Sequence, residues 1–168
     1  MAEGKPERVV LIAMDGSEYS DYAFEWYWGN IHKDNDRVIL LHVPEYHTVV
    51  QSRGMNIPPF GSAMVMADVT VITEMLEEEE KRVKKFLESL GQKLKDKKVG
   101  GKVKSVGGNP GEVICKVATD EHANMIVTGT RGMGKIRRTF LGSISDYIIH
   151  HAHVPVLVAR HKDHQEQH

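Results

Sequence analysis

The residues best suited to chemistry crowd into one stretch, Gly129-Thr-Arg131-Gly132-Met-Gly-Lys-Ile-Arg-Arg-Thr-Phe-Leu-Gly142-Ser143-Ile144-Ser145. Glycine lacks a Cβ, so such a loop can take positive φ and bring its backbone close to a ligand. Successive N–H groups there form a concavity that suits an anion. Gly142-Ser143-Ile144-Ser145 opens a predicted helix, whose first N–H groups lack intrahelical acceptors and sit at the positive end of the helix dipole. The hydroxyls of Ser143 and Ser145 add further donors. Arg131, Lys135, Arg137 and Arg138 bring positive charge, with no acidic residue among them. The combination suits a polyphosphate. The plainer alternative is a solvated loop with turn glycines and a serine helix cap. The cationic content, and the placement between a buried strand and a helix, favour the phosphate reading. Gly129-x4-Gly134-Lys135 also imitates a phosphate-loop motif, but Ile136 stands where a Ser or Thr would hold Mg²⁺.

Two further positions belong beside this loop. Asp15 follows the first apolar run, and its carboxylate can accept hydrogen bonds from ribose hydroxyls or from an adenine amino group. Its structural role would be to cap the following helix together with Ser17, and the two roles are compatible. Val43 ends the second apolar run after His42. Its backbone can pair with an adenine edge while its side chain packs on the ring, although a strand-end valine is more often core.

The elements that must position these residues alternate along the chain. Arg8–Met14, Arg37–Val43 and Asn124–Thr128 are short, nearly continuous apolar runs, as expected of strands buried on both faces. Val99–Val106 alternates weakly, as an edge strand would, and Val154–Val158 closes the series. Ser17 caps a predicted helix whose apolar stripe is Phe24, Tyr27, Trp28 and Ile31. A second helix is expected from about Ala67 to Leu94, with Val69, Ile72, Leu76, Val83, Phe86, Leu90 and Leu94 on its buried stripe. The Glu77–Glu80 run and neighbouring lysines fill its solvated faces. Asn109 as N-cap, Pro110 at N1 and Glu112 at N3 start a third helix, and a fourth runs from about Ser143 to His151. Strands joined by helical crossovers give a parallel sheet with helices on both faces. Ligands of such sheets sit outside the carboxyl ends of the strands, at the switch in winding direction.

The chain of 168 residues reads as a single domain, 1–168, with a long loop over about 45–66 and a flexible tail over about 161–168. A formal net charge of -1 argues against a dedicated nucleic-acid surface. No apolar run approaches the roughly 18–20 residues of a membrane span. The lone Cys115 and the polar amino terminus fit a cytoplasmic setting. The histidines at 150, 151 and 153 do not converge on one helix face, so no metal site is expected. Neither G-x-S-x-G nor H-E-x-x-H occurs.

The spacing Gly129-x2-Gly132-x9-Gly142-Ser143 resembles the nucleotide-binding signature of the universal stress protein family, in particular its ATP-binding branch. Met14-Asp15-Gly16-Ser17, Gly108-Asn109-Pro110 and Val154-Pro155-Val156-Leu157-Val158 resemble the family's first turn, its turn into the third helix and its closing strand. The resemblance implies a doubly wound α/β fold with a five-stranded parallel sheet in the order 3-2-1-4-5. It implies that Asp15 and Val43 contact ribose and adenine. Gly129, Gly132, Gly142 and Ser143 would hold the phosphates of ATP, with or without Mg, and Ile144 and Ser145 would lie beside them. Arg131 falls in the variable interval of the signature. A homodimer through antiparallel pairing of Val154–Val158 is implied as well. One branch of the family lacks the signature and does not bind ATP, whereas every glycine of it is present here.

The expected function is a nucleotide-dependent regulatory module of the stress response. One alternative is a slow ATPase or phosphotransferase using the same loop. It needs a positioned nucleophile and charge neutralisation at the γ-phosphate, and no carboxylate in the loop is placed as a general base. Another alternative is a protein-interaction subunit with a vestigial site.

Overall fold

A computed structural model of the chain describes residues 4–45, 69–130 and 141–161. Arg131 and Gly132, the expected loop over about 45–66 apart from Glu45, and the tail beyond His161 lie outside the described residues. The elements are β1 (Arg8–Ala13), α1 (Glu18–Asn30), β2 (Asp36–His42), α2 (Val69–Asp96), β3 (Gly101–Ser105), α3 (Pro110–Asp120), β4 (Met125–Gly129), α4 (Ser143–His151) and β5 (Val156–Ala159). The strands form one sheet in the order β3-β2-β1-β4-β5, and every neighbouring pair is parallel. The order expected from the resemblance is therefore found.

Alternation along the strands divides the core in two. Val10, Ile12, Val38 and Leu40 face α1 and α2, where Phe24, Tyr27, Leu90 and Leu94 meet them. Val9, Leu11, Ile39 and Leu41 face α3 and α4, against Ile114, Val117 and Ile148. Both faces of the central strands are thus covered, which is why their sequences are continuous apolar runs. β3 lies at an edge, and its alternation is weak because Lys102 and Lys104 reach solvent and Glu121. Ser17 accepts from Ser20 N and caps α1, and Asn109 accepts from Glu112 N and caps α3, as the helix-start signals predict.

One helix differs from expectation. The buried positions of α2 are Met75, Val83, Leu90 and Leu94, while Leu76 is only half-buried and Val69 is 70% exposed. The reason is length. A crossover helix runs back from the carboxyl edge of the sheet, and Phe86 already stands at that edge, its ring 4.7 Å from that of His42. The turns before Phe86 project past the strands, so the sheet does not dictate which side of them is buried.

The opposite, amino-terminal edge is locked by a buried ion cluster. The Asp36 side chain is fully buried and takes Arg8 Nε and Nη2 at 2.6 Å each, the Tyr27 hydroxyl at 2.5 Å and Lys33 N at 3.0 Å. Burial alone would raise the Asp36 carboxyl. The bonds from Arg8, Tyr27 and the Lys33 backbone outweigh it and leave the group below its ordinary value. Burial, reinforced by the Asp36 charge, drives the Tyr27 phenol well above its own.

Candidate functional site

At the carboxyl edge, three adjacent strands deliver three of the expected residues. β1 passes into Met14-Asp15-Gly16-Ser17, with Gly16 at φ +82°, a conformation that favours glycine. Asp15 Oδ1 accepts from Ser17 N at 2.9 Å and Ser17 Oγ at 2.5 Å. Ser17 Oγ in turn accepts from Ser20 N at 3.2 Å. Asp15 therefore does take part in starting α1, as its structural role requires. Val43 follows the last residue of β2 and is half-buried against the core on the α3–α4 side. Gly129 ends β4 on the other side of β1. The pairings Ala13 with Leu41 and Ile12 with Val127 place these strand ends side by side. Winding reverses between β1 and β4, so Asp15 and Gly129 flank the switch point.

Gly129 has a requirement of its own. A Cβ there would stand 2.6 Å from Tyr19 O, 2.8 Å from Tyr19 C and 3.0 Å from Tyr19 Cβ. The missing side chain is what lets the first turn of α1 lie against the end of β4. No sequence reading assigned Gly129 this function, because Tyr19 is more than a hundred residues away in the chain.

The far end of the glycine-rich stretch is fastened to the same place. Gly142 N donates to Thr130 O at 2.7 Å, and the buried Ser145 hydroxyl donates to Gly129 O at 2.6 Å. These bonds hold the first turn of α4 beside the end of β4. They also commit the Ser145 hydroxyl to the protein backbone. Gly142 is the N-cap of α4 with φ -62° and ψ 153°, an extended conformation open to any residue. It supplies no side-chain cap, unlike Ser17 of α1 and Asn109 of α3. Among the described residues, no side chain caps the first N–H groups of α4. Ser143 is exposed at the first helical position, and Ile144 is half-buried on the α3–α4 core. Asp146 in the first turn points a carboxylate to solvent, 3.5 Å from His150 Nε2. Among the described residues no three His, Cys, Asp or Glu side chains converge as a metal site would need.

Two supporting side chains escaped the sequence reading. His42 Nδ1 lies 2.9 Å from Met14 O, and Ser20 Oγ lies 3.4 Å from Asp15 N. The only sequence signal for His42 was its place at a strand end. A cleft of about 570 Å³ opens at the amino edge, between Lys5, Asp34, Arg37 and Lys102. It lies at the opposite ends of the strands from Asp15 and Gly129, beside the Arg37–Glu7 and Lys102–Glu121 ion pairs.

Comparison with known proteins agrees with this geometry. The family model described as "Universal stress protein family" matches residues 7–160. Universal stress protein Sll1388 of Synechocystis is 28% identical over 153 residues, covering 90% of this chain and 97% of that protein. Universal stress protein MJ0577 of Methanocaldococcus jannaschii is 30% identical over 161 residues, covering 92% and 95%. Its solved structure superposes with a TM-score of 0.69 over 93% of this chain and 97% of that one, at 26% identity. A universal stress protein of Arabidopsis thaliana, At3g01520, solved with AMP bound, superposes with a TM-score of 0.60 at 20% identity, over 92% of each chain. With its sheet order, its switch-point turn and a family match over nearly the whole described length, the chain belongs to the universal stress protein family.

Proposed function

We propose that this protein binds ATP at the carboxyl edge of its sheet and serves as a nucleotide-dependent regulatory module in the stress response. The observation that carries the reading is the start of α4. A helix that opens without a side-chain cap among the described residues, fastened beside the switch point, offers its first N–H groups and a positive dipole to an anion. Gly142 leaves the approach clear, Ser143 adds an exposed hydroxyl, and Gly129, Gly132 and Arg131 complete the phosphate end. Asp15 and Val43 serve the ribose and the adenine, with Ile144 and Ser145 beside the phosphates. The nucleotide would bind with or without Mg. The AMP bound to the Arabidopsis relative is consistent with an adenine ligand, while at 20% identity that likeness speaks for the fold alone.

Two further parts of the reading concern assembly and setting. β5 has β4 on one side and no strand on the other among the described residues, and it serves as the pairing edge of a homodimer. Burial raises the Cys115 thiol above its ordinary value, which fits a structural cysteine; the setting proposed for the protein is the cytoplasm.

Thermal unfolding with Mg-ATP, ADP and AMP tests the site. At one hundred times Kd a single site stabilises by about 2.7 kcal/mol. At about 2–4 °C per kcal/mol for a domain of this size, Tm rises by roughly 5–10 °C. The shift should grade with phosphate number. Absence of any shift at millimolar nucleotide would remove ATP binding and leave the interaction-subunit reading.

A further inference from the structure

The peptide unit joining Met14 to Asp15 is held at both of its polar atoms by side chains. Its carbonyl oxygen meets His42 Nδ1 at 2.9 Å, and its N–H donates to Ser20 Oγ in a longer contact of 3.4 Å. A carbonyl can only accept, so Nδ1 carries a hydrogen. The ring is fixed in turn. Phe86 meets it edge-on with centroids 4.7 Å apart. The same Phe86 ring lies 3.6 Å from the point where a Cβ on Gly16 would stand. Met14 is 2% exposed, and its N–H donates to Leu41 O at 2.8 Å, so β1 and β2 are tied just below the turn.

Asp15 rides on this clamped peptide. Its Oδ1 is occupied by Ser17, which sets the carboxylate plane, while His42 and Ser20 set the backbone that carries it. Removing the His42 donor takes away the partner that the described residues give the Met14 carbonyl and loosens the turn.

We propose that His42 is a positioning residue for Asp15: it holds the Met14–Asp15 peptide so that the carboxylate meets the ribose hydroxyls of a bound nucleotide. The proposal rests on the nucleotide reading above and adds a residue that acts through Asp15 without touching the ligand.

The test is titration calorimetry of the full chain with ATP, 2′-deoxy-ATP and 3′-deoxy-ATP. The proteins are wild type, His42→Leu, His42→Asn, Asp15→Ala and the His42→Leu/Asp15→Ala double variant. Far-ultraviolet dichroism and Tm of each free protein confirm that it is folded. Asparagine places an amide N–H near the position of Nδ1, and leucine has no donor. Wild type should favour ATP over at least one deoxy analogue. His42→Leu should lose roughly three- to tenfold in ATP affinity, the scale of one hydrogen bond, while the deoxy analogue changes little. His42→Asn should restore the preference, and the double variant should bind no worse than Asp15→Ala. Equal weakening for all three nucleotides, or additive losses in the double variant, would overturn the proposal. Wild type that binds all three alike would remove the Asp15–ribose contact and this proposal with it, while leaving ATP binding intact. Wild type that binds none of them would remove the nucleotide reading itself.

Discussion

Gly129→Ala should destabilise the protein even without ligand. The added Cβ would stand 2.6 Å from Tyr19 O and 2.8 Å from Tyr19 C, both backbone atoms that cannot rotate away. Relief requires α1 and β4 to separate, and Gly129 is buried where the two meet. Overpacking of this kind costs about 1–3 kcal/mol, or a drop in Tm of roughly 2–12 °C. Separation also disturbs the Ser145 bond to Gly129 O and the turn that carries Asp15, so nucleotide affinity should fall together with stability. The comparison that isolates the cause is Gly142→Ala. Gly142 has an extended backbone that alanine adopts without strain, so the free protein should melt within about 2 °C of wild type, the scale of a neutral substitution. Differential scanning calorimetry of the free proteins measures both. If Gly129→Ala melted within a degree of wild type, the close approach to Tyr19 would not be felt and Gly129 would have to be explained by the ligand alone.

Other outcomes follow from the same geometry. Gly142→Val should abolish ATP binding in calorimetry, because its side chain enters the phosphate path, while the dichroism of the free protein stays native. Tyr27→Phe should cost about 1–2 kcal/mol in urea unfolding, because buried Asp36 loses one of its donors while Arg8 and Lys33 N remain. The folded protein should weaken on acidification. Asp36 lies below its ordinary value, and Glu121, bonded by Lys102 and Lys104, is lowered from 4.5 to about 2. Their contributions are complete above the unfolded carboxylate range and are lost as pH falls through the folded values. Tm measured from pH about 5 to about 2.5 should therefore fall, and Glu121→Gln should flatten the part of the curve that Glu121 supplies.

Much of the frame was legible because its cause is local. The apolar runs at Val9–Ile12 and Val38–Leu41 have both faces buried, and the caps at Ser17 and Asn109 act within a few residues of themselves. The less legible parts have distant causes. Asp36 lay just outside the expected second strand. Only folding brings Arg8 and Tyr27 to it, at separations of 28 and 9 residues. Met75 replaces Leu76 at the buried side of α2 because the helix outruns the sheet, which periodicity cannot register. The glycine spacing pointed to a ligand at Gly129, but packing against Tyr19 makes a separate demand on the same residue. His42 gave no signal beyond its position, since its partner is a carbonyl and a carbonyl has no identity in the sequence.

The two margins of the sheet are unequal, and that inequality bears on how large an assembly can become. β3 is five residues long, begins with glycine and carries Lys102 and Lys104 gathered around Glu121. β5 carries Val156, Leu157 and Val158 with no such charge. A strand added from another molecule meets resistance at the first margin and an apolar ribbon at the second. In the proposed homodimer a two-fold axis joins β5 to β5, and that union would use up the β5 margin of each copy. What remains outward on both sides is the lysine-bearing strand. If that pairing forms, growth through the sheet would terminate at a pair, and the fold would carry its own safeguard against running on into a fibre.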